Sequence, residues 1–180
     1  MLAGRFPVRW PPIGGTMEAY AFERLSEAHR VGVVDIFNHY VRTSTAAYRG
    51  EAVGYEFFER FTADADAYPA YAILDASGAV VGFCTLEPFM PIPTFFGTAE
   101  VMYFIHKDHT GKGIGTLALR RLEDDARLMG ITRLVADISS DNVGSVRFHE
   151  GRGFKEYGRL DDVGRKLGVS FGVVYMQKML

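Results

Sequence analysis

The stretch Thr110-Gly111-Lys112-Gly113-Ile114-Gly115 decides the fold. It stands between Ala99 to His106, which reads as a strand, and Gly113 to Met129, which reads as an amphipathic helix. The apolar stripe of that helix is Ile114, Leu117, Ala118, Leu122, Ala126 and Met129, with Arg120, Glu123, Asp124 and Arg127 largely off it. Closely set glycines let a backbone approach a ligand and take positive φ where needed. The helix start then offers unpaired N–H groups and the positive end of its dipole, a setting for an anion and by preference a phosphate. Lys112 adds a cation at the rim. The bland alternative is a turn that needs glycine and binds nothing. Two other phosphate loops fail on spacing: the Walker pattern is absent, and a dinucleotide pattern begun at Gly111 and Gly113 requires glycine where Thr116 stands.

Working outward, Glu18 to Leu25 reads as a strand, Glu27 to Val41 as a helix and Glu56 to Ala63 as a shorter one. Ala70 to Leu74 and Ala79 to Leu86 flank Asp75-Ala76-Ser77-Gly78, the signature of a hairpin. Leu86 to Gly97 carries Pro88, Pro91 and Pro93 among Phe89, Phe95 and Phe96, and is predicted as a stiff aromatic loop. Beyond the central helix, which Gly130 ends, Leu134 to Ile138 is a strand. Asn142 is placed to cap a helix over Val143 to Glu150, Gly153-Phe154 opens another strand, and Ser170 to Lys178 is the last. The pattern predicts a mixed α/β domain (α+β, one mixed sheet) over residues 17–180. Residues 1–16 hold Pro7, Pro11, Pro12, Gly14 and Gly15 and are expected to be a flexible N-terminal extension. Arg5 and Arg9 are followed by no apolar stretch, which argues against a secretory signal.

The chain has 180 residues, a length suited to one domain. A net charge of −2 gives no basic footprint for nucleic acid, and no apolar run is long enough to span a bilayer. One cysteine, Cys84, makes no internal disulfide and lies in an apolar strand where it reads as core. A soluble cytoplasmic protein is the expectation. His106, Asp108 and His109 are adjacent turn residues that rarely converge on a metal, so none is expected.

Four motifs together resemble the GNAT acetyltransferases, and within them the phosphinothricin and methionine-sulfone N-acetyltransferase branch. They are Glu100 to Ile105 with Asp108 to Gly115; Asn142 to Glu150 ending in Gly153-Phe154; Val163 to Lys166 with Val173 to Gln177; and Phe37 to Tyr40 with Thr45 to Tyr48. The likeness runs from about Tyr20 to the C-terminus. It implies a sheet whose two central strands splay to admit the pantetheine arm of acetyl-CoA. By motif matching, the backbone of Tyr103, Phe104 and Ile105 faces the thioester and pantetheine. Gly111, Lys112, Gly113, Ile114, Gly115 and Thr116 cradle the pyrophosphate. Asn142 hydrogen-bonds the pantetheine, with Ser145 one turn on. Thr110 departs from the Gln or Arg usual in the family, which predicts weaker cofactor binding. A homodimer is also implied.

The chemistry these residues would serve is acyl transfer to an amine. An alkylammonium loses its proton near ~10.4, so deprotonation at pH 7 costs about 4 kcal/mol and a base is needed. The resemblance assigns that base to Glu100. A backbone N–H near Tyr103 is expected to stabilise the developing oxyanion, and His149 to meet the departing sulfur with its N–H. Tyr48, Phe89 and Phe95 are the expected wall of the acceptor pocket. The branch places arginines in the aromatic loop and just before the catalytic strand; here these stretches read Pro88-Phe89-Met90-Pro91 and Phe95-Phe96-Gly97-Thr98. Their absence predicts an uncharged or aromatic small-molecule amine in preference to phosphinothricin. The competing reading is an acyl-CoA-binding sensor without catalysis; a nicotinamide-dependent enzyme is disfavoured by Thr116.

Overall fold

A computed structural model describes residues 20–180, so the extension expected over residues 1–16 lies outside the described residues. The chain folds in the order β1 (Tyr20–Arg24), α1 (Arg30–Thr43), α2 (Phe58–Thr62), β2 (Ala70–Asp75), β3 (Val80–Pro88), β4 (Thr98–Ile105), α3 (Ile114–Leu128), β5 (Arg133–Ser139), α4 (Val143–Glu150), β6 (Lys155–Lys166) and β7 (Val169–Met179). Seven strands form one sheet in the order β1-β2-β3-β4-β5-β7-β6. Every neighbouring pair is antiparallel except β4 and β5. That one parallel pair requires a crossover, which α3 supplies.

Local chemistry explains where elements begin and end. The β2–β3 turn closes as expected: Asp75 Oδ1 accepts from the Ser77 amide at 2.9 Å and the Ala79 amide at 3.1 Å, and Gly78 takes φ 82°. The aromatic loop is shorter than the prolines suggested. Pro88 sits at the end of β3 opposite Ala99, where its missing N–H ends the strand, and Pro93 opens a 3₁₀ turn.

The sheet separates two cores because its side chains alternate. On one face α3 packs Ile114, Ala118, Leu122 and Ala126 against Ile73, Cys84, Val101, Leu134 and Met176. On the other, α1 and α2 pack Val34, Phe37, Val41, Phe58 and Phe61 against Phe83, with Met102 and Phe104 alongside. The charged residues α3 buries are paired: Asp125 accepts from Tyr71 at 2.9 Å and from Arg121 at 3.0 Å, and Glu123 accepts from Lys178 of β7 at 2.6 Å.

Two features position the site. First, β4 and β5 stay together over only three residue pairs, Thr98 with Arg133, Ala99 with Leu134 and Glu100 with Val135. Each keeps its outer neighbour: β4 pairs with β3 as far as Ile105, and β5 with β7 as far as Ser139. The sheet therefore opens between them. Second, the β6–β7 hairpin reaches back to α1 through Lys166, which is buried. Its Nζ donates to the Ser44 carbonyl at 2.7 Å and the Ala47 carbonyl at 2.5 Å, capping the end of α1 and the loop after it. Replacing Lys166 by Met leaves these acceptors unsatisfied. It is expected to lower stability by about 1–3 kcal/mol in urea unfolding; an unchanged midpoint and slope would show that the cap contributes nothing.

Candidate active site

The parted strands border a cavity of about 1120 Å³. One wall is β4 from Glu100 to Ile105, the facing wall is β5 from Ala136 to Ser139, and α3 and α4 close one end. The facing strand edges lack a ladder, so their N–H and C=O groups are available to a ligand.

At the α3 end the glycines work by conformation. Gly111 has φ 74° and Gly113 φ 82°, and a Cβ added to either would meet nothing within 4 Å; backbone angle, not space, requires glycine there. Gly115 differs, since a Cβ on it would stand 3.3 Å from the ring of Phe148, so its absence admits α4. Asn142 caps α4, its Oδ1 accepting from the Ser145 amide at 3.2 Å. Of the expected cofactor residues, Tyr103, Phe104, Ile105, Gly111, Gly113, Ile114, Gly115, Thr116, Asn142 and Ser145 line the cavity, and Lys112 does not.

Arg152, unforeseen from sequence, lines this end as well. Its guanidinium lies 3.7 Å over the Phe148 ring, donates to the Phe148 carbonyl at 3.1 Å and to the Thr116 hydroxyl, and leaves Nε buried without a partner. His109 Nδ1 is likewise buried and unpartnered. A polyanionic, amide-bearing ligand fits this wall: a left-handed glycine cradle, a helix N-terminus, a guanidinium with unused donors and two unpaired strand edges.

His149 is buried and neutral in preference, because burial lowers its pKa. Its Nδ1 lies 2.8 Å from the Ser145 carbonyl, which only accepts, so the proton belongs on Nδ1. Nε2 is then the acceptor for the Tyr103 hydroxyl at 2.5 Å. Both ring nitrogens are engaged, so in this arrangement the neutral ring has no N–H left over for a departing sulfur, the role expected of it from the sequence. What His149 does here is hold Tyr103, whose ring stacks on it at 5.6 Å.

The opposite end is lined by Tyr48, Arg49, Phe57, Arg60, Phe61, Glu87, Glu100 and Asp137. Tyr48 stands where expected, its ring stacked 5.9 Å from Phe171. Phe89 and Phe95 do not line the cavity. They face each other at 6.2 Å in the loop between β3 and β4, and Phe95 is exposed. Sequence reading also missed both arginines. Arg60 of α2 binds Glu87 of β3 at 2.5 Å, and Arg49 lies 4.6 Å over the Phe57 ring with no acidic partner among the described residues. Asp137 was missed although it is the one charged residue in the apolar run Leu134 to Ile138. Burial first, then the neighbouring Asp137 carboxyl and Glu87, push Glu100 up to about 8, with Arg60 opposing. Burial and Asp137 also raise Tyr48, so its hydroxyl stays protonated.

A parallel pair that splays over a glycine-started helix, with a carboxyl group at the point of parting, defines the fold of acyl-CoA-dependent N-acyltransferases. The chain belongs to the GNAT acetyltransferase family, whose model, described as the acetyltransferase (GNAT) family, matches residues 18–154. It is 31% identical over 148 residues to an L-methionine sulfoximine/L-methionine sulfone acetyltransferase of Pseudomonas aeruginosa, covering 81% of this chain and 86% of that one. It is 30% identical over 158 residues to an L-amino acid N-acyltransferase of Escherichia coli, covering 86% and 90%. Among solved structures, a Salmonella typhimurium protein determined with its cofactor acetyl-CoA superposes with TM-score 0.82 at 28% identity, over 90% of this chain and 94% of that one. The protein is an acetyl-CoA-dependent N-acetyltransferase. Among the described residues no group of three or more His, Cys, Asp or Glu is arranged to hold a metal, and no helix is long and apolar enough to cross a membrane.

Proposed function

We propose that the acceptor is the primary amine of a small, amino-acid-like molecule and that Glu100 is the base that takes its proton. The observation that carries this reading is the place of Glu100: it is the last β4 residue paired to β5, at the point where the cavity opens. Acetyl-CoA supplies an acyl group already activated as a thioester. The glycine turn Gly111 to Thr116 and Arg152 hold its phosphates, and the free edge of β4 at Tyr103 to Ile105 holds its amide-bearing arm. What remains for the chain is to bring up a neutral amine. Glu100 accepts one ammonium proton, and the carboxyl then returns that proton to solvent between turnovers.

Two properties of the acceptor follow from the cavity. The aromatic side chains Phe57 and Phe61 give an apolar wall for a short side chain. Arg49, with its guanidinium stacked on Phe57 and free of acidic partners among the described residues, is a counter-charge for a carboxylate. An uncharged acceptor was expected because two loop arginines are missing; arginines on other elements remove that premise. The substrates named for the relatives, methionine sulfoximine, methionine sulfone and L-amino acids, are consistent with a carboxylate-bearing amine.

The test of the base is a coenzyme A release assay across pH. A carboxyl raised to about 8 is mostly protonated at neutrality and idle as a base, so kcat/KM is expected to rise with pH through about 8 and flatten above it. Glu100→Gln is expected to lose about 10²-fold or more and with it that limb; near-normal turnover by this variant would remove Glu100 from the role. Arg49→Ala is expected to raise the KM of an amino acid about tenfold while leaving its decarboxylated analogue unchanged. Equal effects on both would show that Arg49 does not read the carboxylate.

The same reading includes a homodimer. β6 is one of the two edge strands of the sheet, and Tyr157, Leu160 and Val163 on it are exposed apolar side chains that a second copy would cover. Sedimentation is expected to give twice the chain mass at micromolar concentration, and a monomer there would exclude the pairing.

A further inference from the structure

Glu87, Glu100 and Asp137 form a row across three adjacent strands on one face of the sheet. Glu87 of β3 lies directly opposite Glu100 of β4. Glu100 is level with Val135 of β5, and Asp137, two residues on, shares the face of Val135. Among the described residues the one guanidinium bound in this row is Arg60, and it is held by Glu87 at the row's far end. No salt bridge among the described residues includes Glu100 or Asp137. The loop after α1 fixes the other side: the Ser139 hydroxyl donates to Thr45 at 2.7 Å, and Tyr48 stands beside Asp137. Glu100, half-buried, and Asp137, exposed at the mouth of the gap, are thus neighbouring carboxyl groups with no ion-pair partner among the described residues.

We propose that Asp137 is a positioning residue for the base: set beside Glu100 where β4 and β5 part, it makes the two carboxyl groups hold a single proton between them, so that Glu100 meets the acceptor as a strong base. The inference rests on the reading of Glu100 as that base. Like charges this close resist double ionisation, and the proton belongs to the pair rather than to either residue. The groups facing the pair are Glu87 from β3 and Arg60 from α2, Tyr48 and Arg49 from the loop after α1, Tyr175 from β7 and Tyr157 from β6. Of these only Arg60 and Arg49 are cations, one bound to Glu87 and the other stacked on Phe57.

The proton count closes. At rest the pair carries one proton and one negative charge. When the ammonium enters, that proton leaves to solvent, and two carboxylates face one cation. An N–H bond of the ammonium then breaks as an O–H bond forms on Glu100, leaving a neutral amine and the pair back in its one-proton state. A lone carboxylate lies ~6 pK units below an alkylammonium, and raising the base shortens that uphill transfer directly.

Three proteins decide it: the wild type, Glu100→Gln and Asp137→Asn, each with the pH profile of kcat/KM and, without acetyl-CoA, a carbon-13 NMR titration of glutamate side-chain carboxyls. The Glu100 resonance is the one missing from Glu100→Gln. In Asp137→Asn the Glu100 titration and the acid limb are expected to move down together by at least about one pK unit. For a Brønsted dependence near one half, each pK unit lost costs about threefold at pH 9, so a base about two units weaker but more fully ionised near neutrality gives nearly the wild-type rate at about pH 7 and about tenfold less at pH 9. A merely structural loss would lower both ends alike. Should Glu100→Gln keep the wild-type rate at pH 9, the base reading itself fails. Should that variant be slow while Asp137→Asn keeps its limb and its Glu100 titration within about 0.3 unit of wild type, the role of Asp137 is overturned. If Asp137→Asn does not fold, a wild-type Glu100 resonance titrating below about pH 6 overturns it alone.

Discussion

The parting of β4 and β5 after three residue pairs is the constraint on which the rest of the molecule depends. A sheet that loses a ladder in its middle ordinarily exposes costly unpaired groups. Here the loss is confined to one pair, because each strand continues its ladder on the outer side, β4 with β3 and β5 with β7. The gap is therefore held open by regular structure on both flanks and is no frayed edge. The same geometry dictates where the phosphate end lies. A parallel pair needs a crossover helix, and only the short turn over residues 106–113 separates β4 from α3, so the N-terminus of α3 lands at the mouth of the gap.

Period-two alternation along β4 lets a single strand serve two chemistries. Val101 and Tyr103 face the α3 core, where Tyr103 meets His149 of α4. Met102 and Phe104 face the α1–α2 side, and Glu100 shares their face with Glu87. One end of the cavity is thus rich in N–H donors, through the glycine turn, the start of α3 and Arg152. The other is a row of carboxyl groups. A register slip of one residue would carry Glu100 into the apolar packing under α3, so both cores of the sheet also specify which face Glu100 takes.

How much of this was legible in the sequence follows from how local each feature is. The glycine turn, the stripe of α3, the Asn142 cap and the hairpin at Gly78 are each written within a few consecutive residues, and the structure has them within one or two positions. Glu100 stood out through its motif. The acceptor end resisted reading because it is assembled from the loop after α1, from α2, β3 and β5, distant in sequence and brought together only by the tertiary fold. Phe89 and Phe95 looked like pocket walls by composition, yet their loop turns them toward each other. Asp137 was visible as a lone charge within an apolar strand, but its meaning depends on a neighbour 37 positions earlier, and strand order is not written in either segment.

The placement of Arg60 shows how the arrangement keeps its chemistry. A guanidinium beside a carboxylate stabilises the ionised form and draws its pKa down, which makes a firmer ion pair and a poorer base. By binding Glu87 at 2.5 Å, Arg60 settles the outermost carboxyl of the row and acts on Glu100 only from a distance, leaving the inner two without an ion-pair partner. Moved one strand over, it would relieve the repulsion between Glu100 and Asp137 and weaken Glu100 toward an ordinary carboxylate. The fold accepts an unfavourable juxtaposition at the point where its strands part, supported by two well-packed cores; on the proposed reading of Glu100 as the base, that juxtaposition is what leaves a proton acceptor strong enough for an amine.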